Sequence, residues 1–289
     1  MKALAALTLL VACAPAVPGT VVASRGDTAD GWLENGARLQ DRGPGFERAR
    51  PGESTRFGTP RLVSALERAA ADVARVHPGG APLRIGDLSW PRGGRHPRHG
   101  SHRNGRDADL LFYATDLAGR PVPARGWVAF DREGVGVAPE EHGGDVRLFD
   151  DARNWWLVRS LLLDDAAAVQ WLFVSRGLKA RLLRWASRHE TSRDAIFRAS
   201  WVLHQPSRGN PHADHVHVRV FCTPRGLATG CRDRGPRWPW LREAVEKPAL
   251  AGPGLTDAAL LRALLGPPAA SQSAAMRSAA AEASASAAR

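Results

Sequence analysis

The stretch PHADHVHVRV, Pro211 to Val220, sets His212, His215 and His217 close together and threads valines between and after the last two. A second stretch far upstream, RHGSHRNGRDADLLFY, carries His99, His102, Asp107 and Asp109. Seven of the ten histidines fall in the windows His96 to His102 and His204 to His217. Imidazole nitrogens and carboxylate oxygens are the usual ligands of a hydrolytic zinc ion, which takes three protein ligands and keeps one position open. His102, Asp109 and His217 supply that set. His215 shares the strand face of His217 and would lie beside the metal without binding it. There an imidazole near its own pKa can take the proton from water activated by the ion. No H-E-x-x-H occurs to supply a glutamate base, and no C-x-x-C to supply a thiolate site. His99 and His212 stay open between orienting a ligand, touching substrate, and holding a second metal with His142. Asp107 reads as a carboxylate behind the ligands or in solvent. His77, His96, His142, His189 and His204 read as structural or surface histidines.

The elements that must position these residues follow from periodicity. In DADLLFY, Asp107, Asp109 and Leu111 share one strand face, and Ala108, Leu110 and Phe112 the other. In HVHVRV, His215, His217 and Arg219 point one way while Val216, Val218 and Val220 point to the core. An unbroken strand would put His102 and Asp109 on opposite faces, so Asn104-Gly105 must make a turn or bulge that swings the histidine back. An antiparallel neighbour carrying His217 then completes the set. A helix is expected after Thr59 as N-cap, with Pro60 first and Gly79-Gly80 as its stop. Leu83 onward reads as a strand, RNWWLVRSLLL from Asn154 as a helix, VQWLFV from Val169 as a buried strand, and RGLKARLLRWASRH as a further helix. Short helices are expected in RWPWLREAVEKP and TDAALLRALL. The fold class is α+β, a mainly antiparallel sheet with helices packed on one side.

At 289 residues and 44% hydrophobic content the chain can bury one large core. We divide it into a leader at 1–24, an irregular arm at 25–54, the catalytic domain at 55–245, and an Ala/Ser-rich low-complexity tail at 246–289. The leader has one Lys before an apolar run too short to span a bilayer, as in an export signal. LVAC ending at Cys13 has the form of a lipobox, which would anchor the protein to a membrane through an acylated Cys13; cleavage after Ala16 or Ala23 competes. The expected location is periplasmic. Cys222 and Cys231 then remain to close a short disulfide loop in an oxidising compartment. The formal charge of +11 is nearly all arginine. It suits anionic lipid or wall polymer, and an export signal makes nucleic acid the weakest partner.

On GDLSWPRGGRHPRHGSHRNGRDADLLFY and LHQPSRGNPHADHVHVRV, with FGTPRLV and RNWWLVRSLL in support, the chain resembles the penicillin-insensitive murein endopeptidases. These belong among the lysostaphin-like, D-alanyl-D-alanine and hedgehog-like zinc peptidases. The resemblance implies a zinc-dependent peptidase cutting D-alanine–diaminopimelate cross-links in peptidoglycan. It implies zinc on His102, Asp109 and His217, active-site roles for His212 and His215, and a metal or substrate role for His99. Where some members hold a second zinc with Asp-x-x-His, this chain has Pro139-x-x-His142. Among Arg95, Arg98, Arg106 and Arg219, which border the motifs, Arg219 shares the histidine face and is the first candidate to grip a substrate carboxylate. Three other readings compete: a non-catalytic wall-binding or zinc-binding lipoprotein of the same fold, an exported nuclease, and a histidine-triad hydrolase. The last needs a histidine where Ala213 stands.

Overall fold

The computed structural model describes residues 22–241. Of the segment expected as an export leader, residues 1–21 with Cys13 lie outside the described residues, as do the helix expected in TDAALLRALL and the Ala/Ser-rich tail, while Ala23 and Ser24 belong to a strand, Ala23–Gly26. A seven-stranded mixed sheet organises the molecule. From edge to edge it runs Leu203–His204, Val169–Phe173, His215–Val220, Asp107–Leu111, Leu83–Ile85, Phe46–Arg48 and Arg42–Gly43. Only the pairs Val169–Phe173 with Leu203–His204 and Phe46–Arg48 with Leu83–Ile85 are parallel. A four-stranded antiparallel sheet, including Ala114–Thr115 and Val146–Phe149, continues from the end of the Asp107 strand.

The period-two pattern gives the main sheet two unlike faces. Ala108, Leu110, Leu172, Val216, Val218 and Val220 join one apolar core. Leu62 and Leu66 of α1 (Pro60–Val76), Val158 and Leu161 of α2 (Asp151–Leu163), Leu182 of α3 (Arg176–His189) and Ala199 of α4 (Arg193–Val202) complete it. The opposite face carries Asp107, Asp109, His215, His217 and Arg219. One sheet thus separates the burial that stabilises the fold from the groups that do chemistry.

Local signals set the helix ends. Thr59 caps α1 by accepting from the Leu62 amide, and Pro60 stands in its first turn. α2 starts at Asp151, three residues ahead of the expected Asn154, because Asp150 accepts from the Arg153 amide and becomes the cap. α4 was not foreseen; Ser192 caps it by accepting from the Ala195 amide.

The stretch 25–54, expected as an irregular arm, contains short strands. Phe46–Arg48 pairs with Leu83–Ile85 inside the main sheet, and the fully buried Arg48 donates to the Thr55 carbonyl at 2.9 Å. The hairpin Ala23–Gly26 with Gly31–Glu34 braces the histidine loop: Ser24 Oγ donates to the Asn104 carbonyl at 2.8 Å, and the Arg103 amide to the Thr28 carbonyl at 3.1 Å. Its composition suggested a loop because the strands are too short for alternation to register.

Cys222 and Cys231 form a disulfide that closes a loop just beyond the His215 strand. Replacing both by Ser is expected to cost about 2–3 kcal/mol for so short a loop. Urea unfolding of the oxidised protein and the double variant checks this, and superimposable midpoints would contradict it.

Candidate active site

Backbone pairing brings the two motifs together. The Asp107 and His215 strands are antiparallel neighbours in the register His217 opposite Asp109, Arg219 opposite Asp107 and His215 opposite Leu111. The loop histidine returns as the Asn104-Gly105 argument required. His102 itself adopts φ 64° and Gly105 φ 75°. A Cβ at Gly105 would fall 2.8 Å from Leu33 Cδ2, so glycine answers both a left-handed backbone and a tight contact.

Asp109 lies at the centre. Its Oδ1 is 3.1 Å from His217 Nδ1, 3.2 Å from His102 Nε2 and 3.4 Å from His215 Nε2, and its Oδ2 is 3.4 Å from His99 Nε2. The carboxylate is 0% exposed, yet neither oxygen has a hydrogen-bond partner of good geometry, and the same holds for His102 Nε2 and His217 Nε2. His102 Nδ1 faces the Leu88 carbonyl at 3.2 Å. A carbonyl only accepts, so Nδ1 carries a proton and Nε2 is the nitrogen that faces Asp109. A buried carboxylate among ring nitrogens with no well-formed hydrogen bond is costly unless a cation lies between them. His99, His102 and Asp109 form one group able to hold a metal ion, and His212, His215 and His217 form another.

The groups behind these are charged. Asp107, expected as a solvated or supporting carboxylate, is fully buried and receives Arg219 Nε at 2.7 Å and Nη2 at 3.0 Å. It also accepts the His102 amide at 3.2 Å and sits 3.5 Å from His217 Nε2. Arg219 thus pairs through Nε and Nη2 with Asp107 while also lining the cleft, a supporting position behind the histidines. Arg106 is also removed from the substrate: it is buried, donating to the Val220 and Arg232 carbonyls and to Asp233.

Burial opposes the charge on both aspartates, but His102 and His215 around Asp109, and Arg219 and His217 around Asp107, hold both well below the usual carboxylate range. Burial also works against charge on His215, and here the facing Asp109 and Asp214 prevail and raise it to about 9. His217 is raised against burial by Asp107 and Asp109. Burial and then the neighbouring His217 and His215 push His212 down to about 3. The His212 and His215 rings lie close together, with centroids 4.9 Å apart.

An open cleft of about 590 Å³ gives access, lined by His99, His212, His215, His217, Trp127 and Phe173 among others. Trp127 packs edge-on against His215 at 5.0 Å. Residues 24–239 match the family described as penicillin-insensitive murein endopeptidase. The chain belongs to this family. No curated protein matches it. The endopeptidase is a peptidase acting on murein, so its substrate lies in the cell wall. Among the described residues no helix is long and apolar enough to cross a membrane.

Several residues of this murein endopeptidase's site had no role in the sequence reading. Asp214 holds His215 Nδ1 at 2.7 Å; its signal was an acidic residue directly before the histidine. Asp87, in GDLSW at the end of a strand, takes His99 Nε2 at 3.0 Å, Thr55 Oγ1 at 2.7 Å and Arg98 Nε at 2.8 Å. Burial opposes its charge, and His99, Arg98 and Thr55 overcome this and hold it far below the normal range. His96, read as a bland histidine, is buried with its ring 4.6 Å from that of His99, and groups with Asp87 and His99 as a further set able to hold a metal. His142 is exposed in a 3-10 turn and belongs to none of the three groups.

Proposed function

We propose that this endopeptidase is zinc-dependent and hydrolyses the D-alanine–diaminopimelate cross-links of peptidoglycan. The supporting observation is Asp109: a fully buried carboxylate without a good hydrogen-bond partner, approached by four imidazole nitrogens within 3.4 Å. Nitrogen and oxygen donors with no thiolate suit zinc at a hydrolytic site. His102 through Nε2, Asp109 and His217 through Nδ1 would hold the ion. The chemistry supplied by zinc in such a set is Lewis acidity towards the scissile carbonyl and the attacking water.

The protein's own groups do the rest. Asp214 fixes Nδ1 of His215 and turns Nε2 towards the cleft, where it exchanges a proton with the reacting centre and donates to the developing oxyanion. His212, across the cleft wall, assists as the second proton carrier. His99, oriented by Asp87, lines the opposite side and contacts metal or substrate. Asp107 holds the backbone of His102 and the ring of His217, and Arg219 holds Asp107, so metal affinity depends on a residue that touches no metal.

Arg219→Gln is accordingly expected to weaken zinc binding about 10–100-fold while the folded state persists. Competition with a chromophoric chelator reads this directly, and wild-type affinity in the variant would remove Arg219 from the support. The function itself is tested by incubating the zinc-loaded and chelator-treated protein with cross-linked muropeptide dimers. Mass spectrometry should find monomers whose new ends are D-alanine and diaminopimelate, formed only with metal. Dimers that survive the zinc-loaded protein would refute the proposal.

A further inference from the structure

Three arginines line the cleft, Arg50, Arg98 and Arg219, and they differ in how much of each guanidinium is in use. Arg219 gives Nε and Nη2 to Asp107 at 2.7 and 3.0 Å. Arg98 gives the same two nitrogens to Asp87 at 2.8 and 2.9 Å. Arg50 reaches Asp87 with Nη1 alone, at 3.3 Å, and its Nε stands 3.8 Å from Glu53. Its Nη2 has no partner among the described residues. The contact with Asp87 is also surplus to that carboxylate. An ionised carboxylate offers about four acceptor sites, and Thr55 Oγ1, the two Arg98 nitrogens and His99 Nε2 fill them at 2.7–3.0 Å. Arg50 is thus held in place without being used up. It lies over the Trp127 ring at 5.3 Å, and Trp127 packs against His215 at 5.0 Å. A cation therefore stands at the cleft wall, one ring away from the histidine that exchanges the proton.

We propose that Arg50 selects the substrate by pairing with the diaminopimelate carboxylate next to the scissile bond. The proposal rests on the reading that the cut falls between D-alanine and diaminopimelate. In that cross-link the carbon bearing the scissile nitrogen also bears a carboxylate, so the anion belongs to the leaving amine. The leaving amine needs a proton, and His215 is the group placed to give one. A carboxylate two bonds from that nitrogen falls within reach of the wall that Trp127 and Arg50 form beside His215. A guanidinium grips a carboxylate through two parallel hydrogen bonds, and Arg50 keeps Nε and Nη2 for this. The Trp127 ring covers one face of the guanidinium, and exclusion of water there strengthens the pair. Amidation of the carboxylate removes its charge and sets N–H groups against N–H groups. Arg50 therefore reads acid against amide.

The test offers cross-linked muropeptide dimers, with the diaminopimelate carboxylate free or amidated, to zinc-loaded full-length wild type, Arg50→Gln and Arg50→Lys. Wild type should prefer the free acid by about 10–100-fold in kcat/KM, the worth of a charge-assisted pair. In Arg50→Gln that preference should collapse to within about two-fold. Arg50→Lys, which keeps the charge but not the fork, should recover part of it. Asp87 keeps its donors from Thr55, Arg98 and His99, so both variants should fold and bind zinc as wild type does in competition with a chelator. A wild type indifferent to amidation overturns the proposal. So does an Arg50→Gln protein that keeps the wild-type preference, whatever its overall activity, for Arg50 would then only support Asp87 and His99. A wild type inert on both dimers would sink the endopeptidase reading alone, and calorimetry with monomeric diaminopimelate peptides, free and amidated, then decides Arg50. There, wild type should bind the free acid at least about ten-fold more tightly than the amide and Arg50→Gln should not. Equal or absent binding by wild type overturns the proposal.

Discussion

Asp109→Asn is expected to leave a folded protein with neither bound zinc nor hydrolytic activity. The substitution keeps the shape of the side chain and removes its charge, at the one position whose oxygens face His102, His217, His215 and His99 together. A neutral amide is a poor zinc ligand, and two imidazoles alone do not make a catalytic set. Zinc content should fall from about one per chain to near zero, and turnover of muropeptide dimers by about a thousand-fold or more. Plasma emission spectrometry on gel-filtered protein gives the first number and product analysis the second. A full complement of zinc in a folded Asp109→Asn protein would show that the carboxylate does not hold the metal.

His215→Ala separates proton chemistry from metal binding. His215 approaches Asp109 through Nε2 and meets Asp214 through Nδ1, and its removal leaves all three proposed ligands, His102, Asp109 and His217, in place. Zinc should therefore stay bound while kcat falls about 10²–10⁴-fold, the usual worth of a positioned acid or base. KM should change little if the imidazole acts mainly in the transition state. Asp214→Asn, which leaves the imidazole in place without its orienting charge, should give a smaller loss in the same direction. Zinc loss from His215→Ala equal to that from Asp109→Asn would make His215 a ligand and remove its assigned role. The two variants together discriminate between the metal and proton parts of the site, which no single substitution does.

The large elements were legible because each rested on a periodic signal. Thr59 and Pro60 announced α1, and the alternation in DADLLFY and HVHVRV announced strands with a valine and leucine face inward and a polar face outward. α4 escaped because its buried stripe is built of Ala195, Ala199 and Val202 while its largest apolar residues, Phe197 and Trp201, face out. Its hydrophobic pattern points away from its packing. The strands within 25–54 escaped for a different reason: two to four residues are too few for a period to show.

By itself the sequence determined which residue types were present, in which order, and on which face of each strand they had to stand. That was enough to nominate His102, Asp109, His215 and His217, because side-chain alternation is a local consequence of the extended backbone. Only the tertiary structure decided which strand lay beside which, in what register, and so that His217 stands opposite Asp109. It alone paired Arg219 with Asp107, His99 with Asp87 and Phe197 with Trp240. Arg219 and Asp107, and Phe197 and Trp240, lie far apart along the chain, and their meeting depends on how whole elements pack, which no local pattern encodes.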